Sequence, residues 1–99
     1  MAKVTFTIES DATLQTIFVL PASAPDTGQF VPLKKKGDKR AGNLDLATGK
    51  HHYLLRLEAG APEADWTLTV QREDKQPVKR EGQLDSKGNG GDVGQITIF

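Results

Sequence analysis

Apolar and polar side chains trade places at every second position along most of the chain. Successive residues of a β-strand point to opposite faces, so this period marks strands with one face in a core. The clearest stretch runs from His51 to Arg72. Tyr53, Leu55 and Leu57 alternate with His52, Leu54 and Arg56, and Trp66, Leu68 and Val70 alternate with Thr67, Thr69 and Gln71. Ala59 to Asp65 carries the Gly, Pro and Asp of a turn. The pattern predicts a central pair of strands with a tight polar connection. Tyr53 and Trp66, the only Tyr and the only Trp, are expected to anchor one core. A helix would repeat its apolar residues at spacings of three and four, and this stretch does not.

The same reading extends to both ends. Val4, Phe6 and Ile8 share a face of a strand over Lys3–Glu9. Thr13–Leu20 begins with alternation and becomes apolar on both sides, the mark of a strand covered on both faces or central in its sheet. Pro21 ends it, and Pro21–Gly28 is a loop by composition. Phe30, Val31 and Leu33 form a short strand that Pro32 confines to an edge. Asn43–Ala47 is a short strand with Leu44 and Leu46 on one face, and Thr48–Lys50 is a turn. Glu73–Pro77 is a polar hairpin connection, and Val78–Leu84 is a charged edge strand. Asp85–Gly94 reads as a flexible glycine-rich loop before a last strand, Gln95–Phe99, in which Ile96 and Ile98 alternate with polar neighbours. With strands expected from residue 3 to residue 99, both termini should be tied into the sheets.

Short strands about ten residues apart, without a helix, predict one antiparallel β-sandwich domain of seven to eight strands over 1–99. The pattern resembles the immunoglobulin and fibronectin type III architecture, without the cysteine pair of antibody domains. A jelly-roll or C2-like sandwich is the alternative.

Composition narrows the chemistry. The chain has no cysteine, which excludes disulfides and thiolate metal sites and leans toward a reducing, cytoplasmic setting. Lys plus Arg and Asp plus Glu each number 13, a zero balance that argues against a protein built to hold nucleic acid. The start of the chain lacks the basic-then-apolar pattern of a secretion signal, and Ile17–Leu20, the longest apolar run, is too short to span a bilayer.

The one strong local imbalance is Lys34–Arg40, where Lys34, Lys35, Lys36, Lys39 and Arg40 face a single acid, Asp38. It reads as an exposed, mobile loop able to hold a polyanion such as a sulfated glycan. No aromatic residue interleaves there to stack on bases. His51 and His52, the only histidines, fall on opposite strand faces and so cannot readily share a metal; both are expected to be solvated, with Asp45 a conceivable further ligand. Asp85, Asn89 and Asp92 could offer oxygens to calcium, but Lys87 occupies a position where a calcium loop needs a donor. The same glycines lack the Gly-Lys-Ser/Thr ending and following helix of a phosphate cradle. No serine lies in a nucleophile elbow, and no carboxylate pair has the spacing of an acid–base dyad.

The expected function is that of a non-catalytic module, without cofactor or bound metal, that binds a protein partner or a second copy through loops and sheet edges. Lys34–Arg40 and Pro21–Gly28 are the loops to examine first. Polyanion binding through residues 34–40 and calcium-assisted carbohydrate binding or adhesion are the alternatives.

Overall fold

The computed structural model describes residues 1–73 and 75–99. Nine strands form among them, in chain order: β1 Ala2–Glu9, β2 Leu14–Pro21, β3 Gln29–Phe30, β4 Lys34–Lys36, β5 Lys39–Leu46, β6 Gly49–Glu58, β7 Asp65–Arg72, β8 Val78–Gln83 and β9 Gly90–Ile98. A 3-10 turn over Pro25–Thr27 sits inside the expected Pro21–Gly28 loop. The strands make two antiparallel sheets, β4-β5-β1-β7-β8 (sheet A) and β3-β2-β6-β9 (sheet B), which close on one core as a β-sandwich. In the immunoglobulin arrangement the first two strands share a sheet; here β1 and β2 lie in opposite sheets.

The alternating pattern places the core as expected. Val4, Phe6 and Ile8 of β1 and Trp66, Leu68 and Val70 of β7 are buried from sheet A. Ile17 and Val19 of β2, Tyr53, Leu55 and Leu57 of β6, and Ile96 and Ile98 of β9 meet them from sheet B. Each such side chain contributes roughly 1.5–3 kcal/mol by leaving water. The two layers touch through an edge-to-face contact of Phe6 and Tyr53, with ring centroids 6.4 Å apart.

Two expectations about local structure are corrected. First, β6 and β7 are not a hydrogen-bonded pair: β6 lies between β2 and β9, and β7 between β1 and β8. The segment between them crosses from one sheet to the other. Ala59 and Glu63 turn it with φ of 58° and 62°, in the left-handed region uncommon for side-chain-bearing residues. Its amides are held by neighbouring loops, Gly60 N–H by Gly88 O at 2.9 Å and Glu63 N–H by Asp85 O at 3.1 Å.

Second, the glycine-rich segment is not a flexible loop. Asp85 Oδ1 accepts from the Asn89 and Lys87 amides at 2.9 and 2.8 Å, closing a tight turn. Those amides hold the Asp85 carboxyl below its usual range. From Gly90 the chain is already strand, paired with β6. Gly94 lies directly opposite Tyr53, and a Cβ there would stand 2.5 Å from Tyr53 Cζ. Gly82 of β8 lies opposite Trp66 in the same way, its Cβ position 2.5 Å from Trp66 Cζ2. The glycines make room for the two large rings to lie across the neighbouring strand; they do not mark mobility.

Smaller shifts have local causes. β5 extends back to Lys39 because β1 offers it a full partner, with Glu9 opposite Lys39 and Ala2 opposite Leu46. β8 is an edge strand as expected; β3 is an edge too, but it ends at Phe30, short of the Val31 and Leu33 expected in it. The connection expected over 73–77 includes Asp74, which lies outside the described residues.

The two glycines give the first prediction. Gly94→Ala and Gly82→Ala should each destabilise the fold by about 1–3 kcal/mol, the usual cost of forcing atoms into a filled core. Chemical denaturation against the wild-type chain measures it, and unchanged midpoints would contradict the ring-over-glycine packing.

Candidate functional site

The five basic residues are a β-hairpin, which corrects the expectation of a mobile loop. β4 pairs with β5 through Lys34 opposite Ala41, Lys35 opposite Arg40 and Lys36 opposite Lys39. Gly37 supplies a φ of 64° at the first turn position, where a two-residue hairpin of the II′ kind needs it. Alternation splits the charges. Arg40 lies beside Ile8 in register and so shares its inward side with Lys35; Lys34, Lys36 and Lys39 point outward. Arg40 donates from Nη2 to Thr13 O at 3.3 Å, tying the hairpin to the β1–β2 connection. Between them opens a cleft of about 770 Å³. Its walls carry Glu9, Asp11, Asp38 and Asp65 as well as Lys35, Lys39 and Arg40, so it is mixed in charge. Among the described residues no carboxylate lies within ion-pairing distance of the five cations. The other loop singled out, Pro21–Gly28, follows the far end of β2, so the two stand at opposite ends of the sandwich.

The histidines separate as alternation requires. His51 is buried, against the expectation of solvation, and its Nε2 lies 2.8 Å from Ala47 O. Its Nδ1 is buried without a partner among the described residues. His52 points outward, and Asp45 stands opposite Lys3 on sheet A, so the three do not form a common site. No group of three or more His, Asp or Glu among the described residues could hold a metal ion. The oxygens weighed for calcium are engaged: Asp85 in its turn, Asn89 Oδ1 with the Ala59 amide, and Asp92 as described below.

The two outer faces differ sharply. Sheet A is polar outside, with Thr5, Thr7 and Glu9 of β1 opposite Gln71, Thr69 and Thr67 of β7 and lysines toward its rims. Sheet B carries an apolar row across all four strands. Phe30 of β3 is opposite Phe18 of β2, Phe18 opposite Leu54 of β6, and Leu54 opposite Val93 of β9. Phe30 and Phe18 pack edge to face at 4.9 Å. Phe30 and Val93 remain 64% exposed and Leu54 46% exposed, which makes the row a surface patch and not a second core. Leu14, 43% exposed, lies on the same face.

Sequence reasoning did not assemble this row. The doubly apolar β2 was its only signal, because the outward side of β2 had to meet something. Leu54 reads as a lone apolar residue on a polar side, and Val93 as part of a loop. Only the register puts the four in line.

At the open side of the sandwich, β8 and β9 are bridged by polar contacts. Tyr53 OH donates to Asp92 Oδ2 at 2.9 Å, and Arg80 Nη2 donates to Asp92 Oδ1 at 3.0 Å. Arg72 Nη1 donates to Thr97 O at 2.9 Å. A shallow groove of about 350 Å³ runs there, floored by Tyr53, Val70 and Ile96. Burial first, and then the hydrogen bond and charge of Asp92, push the Tyr53 phenol up to about 12. The phenol is therefore a hydrogen-bond donor at neutral pH, not a base. Among the described residues no helix is long and apolar enough to cross a membrane.

Tyr53 is the only tyrosine, so its ionisation can be read directly from ultraviolet absorbance. Phenolate should form in the folded chain only near pH 12, and Asp92→Asn should lower that midpoint. The raised value gives stability that is complete below pH 10, the ordinary phenol value, and is lost as pH rises toward 12. A wild-type midpoint near 10 with the fold intact would contradict the contact. Comparison of the chain with protein-family models, with curated proteins and with solved structures finds no match.

Proposed function

We propose that the domain is a non-catalytic assembly module that works through its four-stranded sheet. The observation that carries this reading is the outward row Phe30–Phe18–Leu54–Val93, which runs across sheet B and ends on an edge strand. Exposed apolar surface of this continuity is costly in water and is commonly covered by association. The polar outside of sheet A offers no comparable surface. A second copy of the chain is the occupant, because its identical row ends on the same edge strand and a twofold can bring the two rows together there.

Val93 belongs both to the row and to the edge, so one substitution tests the reading. Wild-type chain should associate as its concentration rises from micromolar to millimolar in sedimentation velocity runs, and Val93→Lys should remain monomeric with an unchanged circular dichroism spectrum. A wild-type chain that sediments as a monomer throughout would overturn the reading.

A second reading, polyanion binding by Lys34, Lys35, Lys36, Lys39 and Arg40, is supported by one observation. Lys36 and Lys39 stand directly opposite each other, an arrangement of like charges that disfavours the hairpin until an anion lies across it. Retention on a heparin column should fall steeply with salt and be lost when the outward Lys34, Lys36 and Lys39 become glutamine. Equal retention of that variant would exclude the hairpin as the binding element.

A further inference from the structure

The two sheets have four edges, and three of them carry devices that discourage pairing. β4 is three lysines, Lys34 to Lys36. β8 carries Lys79, Arg80 and Glu81 in succession. β3 is two residues long and is followed closely by Pro32. Charge, brevity and proline are the usual ways to keep a sheet from extending onto another molecule. β9 shows none of these on its outward side, which carries Gly91, Val93, Gln95 and Thr97. It is nine residues long, has no lysine and no proline, and its one charged residue, Asp92, is turned inward to Tyr53 and Arg80.

The direction of its free main-chain groups can be read from one contact. Arg72 Nη1 reaches Thr97 O from outside the β6–β9 ladder, so the main-chain groups of Thr97 face away from β6. Along an antiparallel strand alternate residues share that direction, so Gln95, Val93 and Gly91 face the open edge as well. The Thr97 carbonyl is already occupied; the other three residues offer N–H and C=O to a further strand.

We infer that β9 pairs antiparallel with β9 of a second copy, about a twofold axis at Val93. This inference rests on the assembly reading above and specifies its geometry. The register places Val93 opposite Val93 of the second copy and Gly91 opposite Gln95 of the second copy. It uses all three free residues of each strand and avoids Thr97. It also sets the apolar rows end to end, so that one row crosses an eight-stranded sheet. A twofold at Gln95 would instead set Val93 opposite Thr97, whose carbonyl Arg72 holds. A foreign strand could make the same main-chain bonds; only a second copy continues the row.

Val93→Pro separates this arrangement from face-to-face packing. It deletes the Val93 N–H, which does not serve β6, and proline is tolerated where the missing donor faces outward. Both symmetry-related bonds at the axis are lost, so dimerisation should weaken roughly tenfold or more. Gln95→Pro should act alike and covers the case in which the first variant disturbs the fold. Leu54→Glu puts a charge on β6, away from the edge where the two rows meet at Val93, and should still dimerise; a folded Leu54→Glu chain that stays monomeric would point to face-to-face packing and overturn the β9 pairing. In the wild-type chain, deuterium exchange at the amides of Gly91, Val93 and Gln95 should slow as concentration rises. A wild-type chain that associates with these amides unprotected and both proline variants unaffected would overturn the β9 pairing while leaving the assembly reading in place. A wild-type chain that stays monomeric at every concentration would remove both.

Discussion

A large aromatic ring lying across a glycine of the neighbouring strand is the contact on which this sandwich turns. It occurs twice, once in each sheet: Tyr53 of β6 over Gly94 of β9, and Trp66 of β7 over Gly82 of β8. Both glycines belong to edge strands that are poor in apolar residues. β8 buries no apolar side chain of its own, and β9 buries only Ile96 and Ile98 near its end. The ring from the inner strand supplies the missing contact area, and the glycine admits the ring to the backbone. At β9 the arrangement is completed by Asp92, which receives the Tyr53 hydroxyl and the Arg80 guanidinium and so ties sheet B to sheet A.

That solution shapes the surface. An edge held from the inside by an aromatic ring needs little from its outer face, and β9 shows only Gly91, Val93, Gln95 and Thr97 outward. The charge of the chain is concentrated elsewhere, on the hairpin β4–β5 and on β8, both in sheet A. The molecule therefore has one sheet guarded at both edges with a polar, threonine-rich exterior, and one sheet with an apolar row and an open edge at β9. Zero net charge conceals this division, because the sum over the chain says nothing of how the charges are placed.

The basic hairpin shows how conformation changes the meaning of a charge run. As a loop, five cations would spread apart in solvent and act as a flexible attachment. As paired strands they are held at fixed spacing, three outward and two inward, with Arg40 committed to the carbonyl of Thr13. The cleft beside the inward pair gathers four carboxylates. Of the outward three, Lys34 and Lys36 stand on the edge strand, while Lys39 lies opposite Glu9 of β1.

The period of two along the chain was enough to determine the fold class, the identity of most core residues and the inward side of β1, β6 and β7, because burial acts on each strand separately and writes itself into local alternation. It also identified β3 and β8 as edges, since proline and charge are signs that a single strand carries. The partners of each strand depend instead on residues distant in the chain, and only the tertiary structure decided those. It set β6 and β7 in opposite sheets, buried His51 and turned the segment 90–94 from apparent loop to strand. It also drew Phe30, Phe18, Leu54 and Val93 into one line. The physical reason is the same in every case: a glycine opposite a ring, or an exposed leucine beside an exposed valine, has no signature in its own neighbourhood, and its role comes from the residue that register places across from it.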